Sequence, residues 1–257
     1  MGQHSIPDRL FTLRDVSIRY LVIPKCACTY IKNILWHIET GSPYYNPQRI
    51  HDVDNLFLRA SDFDLSTRDI SHEEFAFTVI RNPVDRFISL YTDKILGNGH
   101  KDFVPLRDVL STKYGLNMAP QTSGDHKKNC DLLIEWIGQN LDSKVDMDVD
   151  PHWAPQCNRK LVLQSCRLKL LLVNKLNSQL RILLQSVVPN IEKIMQGAER
   201  NKSYRHFAKK DILSTQLRKK INYVYQSDRE LFIFARQAWS KIGESESAYK
   251  RIPRFPD

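Results

Sequence analysis

Residues 20–38, YLVIPKCACTYIKNILWHI, decide how this chain is read. A β-branched and aromatic run ends at Pro24. Lys25, two cysteines two apart and Thr29 follow. Then Ile31, Ile34, Leu35 and Ile38 recur at the three-four spacing of one helix face. The pattern predicts a strand over residues 17–23, a short loop, and a helix over residues 29–38 with Thr29 as N-cap. The loop has four readings: metal site, redox pair, phosphate cradle or ordinary turn. Cys-x-Cys without a second ligand pair is poor zinc spacing. The chain has five cysteines at irregular positions, which is no disulfide framework and fits a reducing compartment. Cys26 and Cys28 therefore read as small buried residues in a tight loop. A helix start presents unpaired N–H groups and the positive end of its dipole, and a lysine before it adds a point charge. That is phosphate-binding architecture, although the glycines and the Lys-Ser/Thr pair of an ATPase loop are missing. Taken alone, the segment leaves phosphate loop and plain turn open.

A second strand-loop-helix follows more than fifty residues later. Residues 75–80 read as a strand. In RNPVDRFISLYTDKILG, Asn82 reads as N-cap, Pro83 as the first helical residue and Gly97 as the stop. Arg81 closes the strand at its C-terminal end, where α/β sheets bind ligands. Ser89 lies two turns into the helix. Between the two motifs, residues 40–74 read as loops with short helical pieces, and residues 98–125 as loop. A helix is expected over residues 130–141, a third strand within LKLLLVNKL, a helix over residues 176–188, and one long helical pattern over residues 210–239. Strands alternating with helices predict an α/β fold with a central, mainly parallel sheet flanked by helices. No repeat, low-complexity tract or linker interrupts the chain, so residues 1–257 read as a single domain.

Composition narrows the partners. The formal charge is +9, but residues 151–220 hold 15 Lys or Arg against 3 Asp or Glu, a local net of +12. Such a one-signed stretch suits an anionic partner, whether nucleotide, acidic glycan, nucleic acid or membrane face. No apolar run approaches the ~20 residues that span a bilayer, and no signal-peptide pattern opens the chain. The start MGQHSI carries its serine one position off the myristoylation pattern.

The two phosphate motifs together resemble the sulfotransferases that use 3′-phosphoadenosine 5′-phosphosulfate. IPKCACTYIKNIL is similar to their 5′-phosphosulfate loop, in the Pro-Lys-x-x-Cys-Thr form of the carbohydrate enzymes acting on chondroitin and HNK-1 glycans. VIRNPVDRFISLYTDK is similar to their 3′-phosphate motif. HWAPQCNR resembles their His-Trp-x-Pro-Gln element, and NKSYRHF with the following helix resembles their closing segment. The resemblance implies a nucleotide-kinase-like sulfotransferase fold with in-line sulfuryl transfer to a carbohydrate hydroxyl and no metal. It assigns Lys25 and His51 to catalysis, His51 as general base. Lys25, Cys26, Ala27, Cys28, Thr29, Tyr30, Arg81 and Ser89 would bind the nucleotide, as would Asn201, Lys202 and Ser203, with Arg205 near. His152, Trp153 and Gln156 would meet the acceptor, with His152 the alternative base. His72 reads as a surface or capping residue. Asn177 stands near a place where relatives carry an acidic residue. With no anchor in view, the resemblance points to a soluble, bacterial-type member located in the cytoplasm, with no nucleic-acid partner. The competing readings are a phosphate-binding kinase-like protein and a basic nucleic-acid- or glycan-binding module without catalysis.

Overall fold

A computed structural model describes residues 10–63, 69–70, 75–97, 101–143, 145–159, 167–198, 209–242 and 248–254. The chain divides into two compact units. One comprises residues 1–81, 156–201 and 230–257, and the other residues 82–155 and 202–229.

The first unit holds the sheet. β1 (Leu10–Thr12), β2 (Ile18–Leu21), β3 (Phe75–Ile80) and β4 (Lys169–Leu172) lie in that order. β1 pairs antiparallel with β2, whereas β2, β3 and β4 run parallel, with Leu21 opposite Thr78 and Ile80 opposite Leu172. The expected mainly parallel α/β sheet is present. β2 and β4 are buried along their whole length, as parallel strands covered on both faces must be. The edge of β4 is covered too, since Leu170 N–H donates to the Pro253 carbonyl at 2.7 Å. β3 matches its predicted span, and the other strands are shorter than predicted. β1 had no forecast, because three residues are too few to show alternation.

α1 (Cys28–Thr40) follows the first loop and buries Thr29 through Leu35. It ends at Gly41, whose φ of 73° lets its N–H reach the His37 carbonyl. Its N-cap is Ala27, not Thr29, and no side chain caps it. The segment from Pro47 to Leu56 forms successive 3₁₀ turns, as the mixed pattern there suggested.

The second unit is helical. α2 (Pro83–Leu90) starts as predicted, the Asn82 side chain accepting from Val84 N–H with Pro83 at the first position. It runs into a π-helical turn, Tyr91–Ile95. Gly97 ends this turn for a steric reason, since a Cβ there would stand 2.1 Å from the Asp93 carbonyl oxygen. α3 (Val104–Thr112) corrects the loop forecast for residues 98–125. Its Pro105 reads as a breaker but occupies the first turn, where proline is tolerated. α4 (Ser123–Ser143) begins earlier than the apolar stripe that signalled it. Trp136 and Trp153 meet edge-on at 5.5 Å in this unit's core.

Later helices are α5 (Leu176–Leu184) and α6 (Ile191–Gly197) in the first unit, and α7 (Lys209–Ile212) and α8 (Thr215–Val224) in the second. α9 (Gln226–Trp239) completes the set. The single long helix expected over residues 210–239 is thus three. The Ser214 side chain caps α8 through Leu217 N–H, and Tyr225 separates α8 from α9.

Candidate functional site

The loop between β2 and α1 takes conformations that its residues disfavour. Lys25 has φ 67°, and Ala27 has φ 62° with ψ 26°, both left-handed without being glycine. Each such residue costs about 1–3 kcal/mol, and they gather at ligand clamps. These steps lead the chain sharply into the start of α1, and a helix start is where backbone N–H groups meet anionic oxygens, while the Cys26 N–H is committed to the Ile23 carbonyl at 3.2 Å. A glycine-poor sequence thus forms the turn that glycines usually form.

This loop is fastened to the end of β3. Arg81 Nη1 donates to the Lys25 carbonyl at 3.0 Å. A guanidinium carries five N–H donors, so this bond is compatible with gripping an anion. Gln156 brackets the Arg81 backbone. Its Oε1 accepts from Arg81 N–H at 2.8 Å and from Cys26 Sγ at 3.2 Å, and its Nε2 donates to the Arg81 carbonyl at 3.0 Å. Gln156, expected against the acceptor, is 2% exposed and instead holds two loops in register. Cys26 is fully buried, in keeping with its reading as a packing residue.

Tyr30 departs from expectation. Its ring is buried, and its hydroxyl lies 3.1 Å from Asn177 Oδ1 and 3.3 Å from the Met195 carbonyl. Its side chain therefore serves the packing of α1, and only its backbone at the helix start faces the loop. Asn177 provides a neutral acceptor for that hydroxyl.

On the loop's other flank stands a cluster whose lysine and aspartate the sequence reading passed over. His51 Nε2 lies 2.9 Å from Thr29 Oγ1 and 3.9 Å from Cys28 Sγ. His51 Nδ1 lies 2.8 Å from Lys32 Nζ, which also pairs with Asp54. Lys32 is 1% exposed and lies over the Phe11 ring. An ammonium has donors only, so Nδ1 must accept and the ring proton sits on Nε2. His51 is thus beside the loop as expected, but the lone pair that a base would use is spent on Lys32. Two signals were available: the His51-x-x-Asp54 spacing, which stacks both residues on one turn, and Lys32 three residues after Thr29 on the buried face of α1.

In the second unit, Ser89 is buried in α2. Arg86, from the same motif, donates to the carbonyls of Ala154 and Pro151 at 2.8 and 2.9 Å. It thereby braces the turn that bears His152. His152 Nδ1 is 2.6 Å from Asp150 Oδ1, a carboxylate that fixes the proton on Nδ1. A neutral ring in that state keeps its lone pair on Nε2. Trp153, expected under a sugar, is 3% exposed and packs in the core, so it offers no stacking face. Its neighbour Tyr225 donates to the Trp153 carbonyl at 2.7 Å.

His72, Asn201, Lys202, Ser203 and Arg205 lie outside the described residues. Among the described residues, no group of His, Cys, Asp or Glu is arranged to hold a metal ion, and no helix is long and apolar enough to cross a membrane. A family model described as "Sulfotransferase family" matches residues 8–235. No curated protein and no solved structure matches the chain.

Proposed function

Because the chain belongs to the sulfotransferase family, we propose that it moves a sulfuryl group from 3′-phosphoadenosine 5′-phosphosulfate to a hydroxyl of a carbohydrate. The acceptor oxygen bonds to sulfur as the bond from sulfur to the bridging oxygen of the 5′-phosphate breaks. Adenosine 3′,5′-bisphosphate leaves with the charge of that oxygen. The acceptor's proton passes to a histidine base, for which the family's motifs offer His51 and His152. Such a transfer calls for positioning, and for cations and N–H donors where charge gathers. In this reading Lys25 meets the bridging oxygen. The backbone of residues 27–29 and the Thr29 hydroxyl hold the 5′-phosphate. Arg81 grips the 3′-phosphate, a role the motif also gives Ser89, and residues 201–203 meet the nucleotide. The +12 stretch favours an acidic glycan as acceptor.

One observation carries the reading. Arg81 is tied to the Lys25 carbonyl, so a second cation is fixed beside the first loop. A nucleotide with phosphates at two separated positions uses both, whereas a nucleoside triphosphate needs only the loop. Calorimetry with adenosine 3′,5′-bisphosphate, ADP and ATP tests this. Preference for the 3′-phosphorylated nucleotide is expected, with Arg81→Ala removing about 1.5–3 kcal/mol of it. ATP binding as tight or tighter rejects the reading in favour of a kinase-like protein.

A further inference from the structure

We infer that His51 serves the phosphate loop as a hydrogen-bond donor from Nε2, in a tautomer imposed by Lys32, and is not the base of the reaction. The inference rests on the sulfuryl-transfer reading for what the donor meets, but not for the tautomer itself. Lys32 Nζ stands 2.8 Å from Nδ1 in a nearly solvent-free position, and the Asp54 carboxylate beside it keeps the amine charged. His51 faces Cys28, Thr29 and Lys32 on α1, and Asp54 on its own segment with Nδ1 to Oδ2 at 4.0 Å. To accept a proton at Nε2, the ring would first have to carry one on Nδ1. That would set two N–H donors against each other across the 2.8 Å contact. A doubly protonated ring meets the same conflict. The neutral Nε2–H form is the one that Lys32 supports, and its N–H points at Thr29 Oγ1, 2.9 Å away.

An anionic oxygen seated at Thr29 would meet this N–H beside the hydroxyl. On a sulfuryl or phosphate group the donor strengthens as charge collects on that oxygen, which is how a fixed donor lowers a barrier. Lys32 touches no substrate in this scheme. It is a positioning residue that works through the ring.

The test has two independent arms. In the first, ring nitrogens of ¹⁵N-labelled chain are read by proton correlation without any nucleotide. The Nε2–H tautomer is expected for His51 across about pH 5–8, with no titration near the ordinary histidine value of about 6.5. In Lys32→Met, or in Asp54→Asn where Lys32→Met does not fold, a mixture of tautomers and a titration are expected. An Nδ1–H tautomer in the wild-type chain, or unchanged spectra in the variants, overturns the inference. In the second arm turnover is compared in His51→Gln and His51→Ala. A glutamine amide can still donate, so it should stay within about tenfold of wild type, whereas alanine should lose about 10²–10³-fold. Equal losses, as removal of a base would give, overturn it. A chain without sulfuryl transfer defeats the functional reading, and the nitrogen spectra then decide by themselves whether Lys32 sets the tautomer.

Discussion

Two residues of the loop, Lys25 and Ala27, carry left-handed backbone conformations that a side chain opposes. At Ala27 nothing but a methyl group stands to be lost, so the cost can be measured there. Ala27→Gly removes the clash of Cβ with the backbone, worth about 1–2 kcal/mol, but frees the unfolded chain by about 0.4–1 kcal/mol. The expected net is stabilisation by about 0.5–1 kcal/mol, read as a higher urea midpoint at unchanged slope. A lower midpoint would mean that the methyl's packing against the first unit's core outweighs the strain. This residue also shows where sequence reading stops. Thr29 has the side chain of an N-cap, yet the left-handed step at Ala27 starts the helix sooner, and Thr29 is left to face His51. A cap is read from residue type, whereas the backbone path depends on how the loop is tied to Gln156 and Arg81, far along the chain.

Among the elements, the turn after α4 offers a test by pH. Asp146 accepts from Lys113, from the Tyr114 hydroxyl at 2.7 Å and from Trp136 Nε1 at 2.8 Å. The hydrogen bond from Lys113, followed by that from Tyr114, holds its carboxyl at about 2. A carboxyl lowered on folding stabilises the fold above its ordinary value near 4, and that contribution fades as pH falls toward 2. The urea midpoint of Asp146→Asn should therefore lie below wild type at neutral pH, and the gap should close between about pH 4 and pH 2. A gap that persists at pH 2 would assign the effect to shape and not to charge. Elements were legible where local pattern and tertiary role agree. β3 is apolar except for Thr78 and buried from Ala76 to Ile80 because both its faces are covered, and α2 announces itself through Asn82 and Pro83. Elsewhere tertiary packing decides the placement. Tyr30, Trp153 and Gln156 matched a functional pattern by type and order, yet all three are buried, and their partners Asn177, Trp136 and Arg81 are distant in sequence. Lys32 was missed for the converse reason, since a lysine in an amphipathic helix is ordinarily solvated.

At the scale of the whole chain the charge has two distinct effects. Residues 151–220 carry +12 and the remainder −3, and most of those cations are not among the residues proposed to hold the nucleotide. Steering by such a field acts over distances comparable to the Debye length, about 10 Å at 0.1 M salt and 3 Å at 1 M. Contacts such as those proposed for Lys25, Thr29 and Arg81 act at hydrogen-bond distance, and salt screens them far less. Raising salt across that range should therefore slow the association of adenosine 3′,5′-bisphosphate by about tenfold or more while changing its dissociation little. Stopped-flow measurement of both rates checks this. An association rate indifferent to salt would show that the basic stretch does not serve the nucleotide. The acceptor then becomes its candidate partner, and a sulfation assay should find the KM of an acidic glycan rising with salt while that of a neutral one stays level. If neither responds, the +12 stretch is a solvated surface, and the preference for an acidic acceptor falls with it.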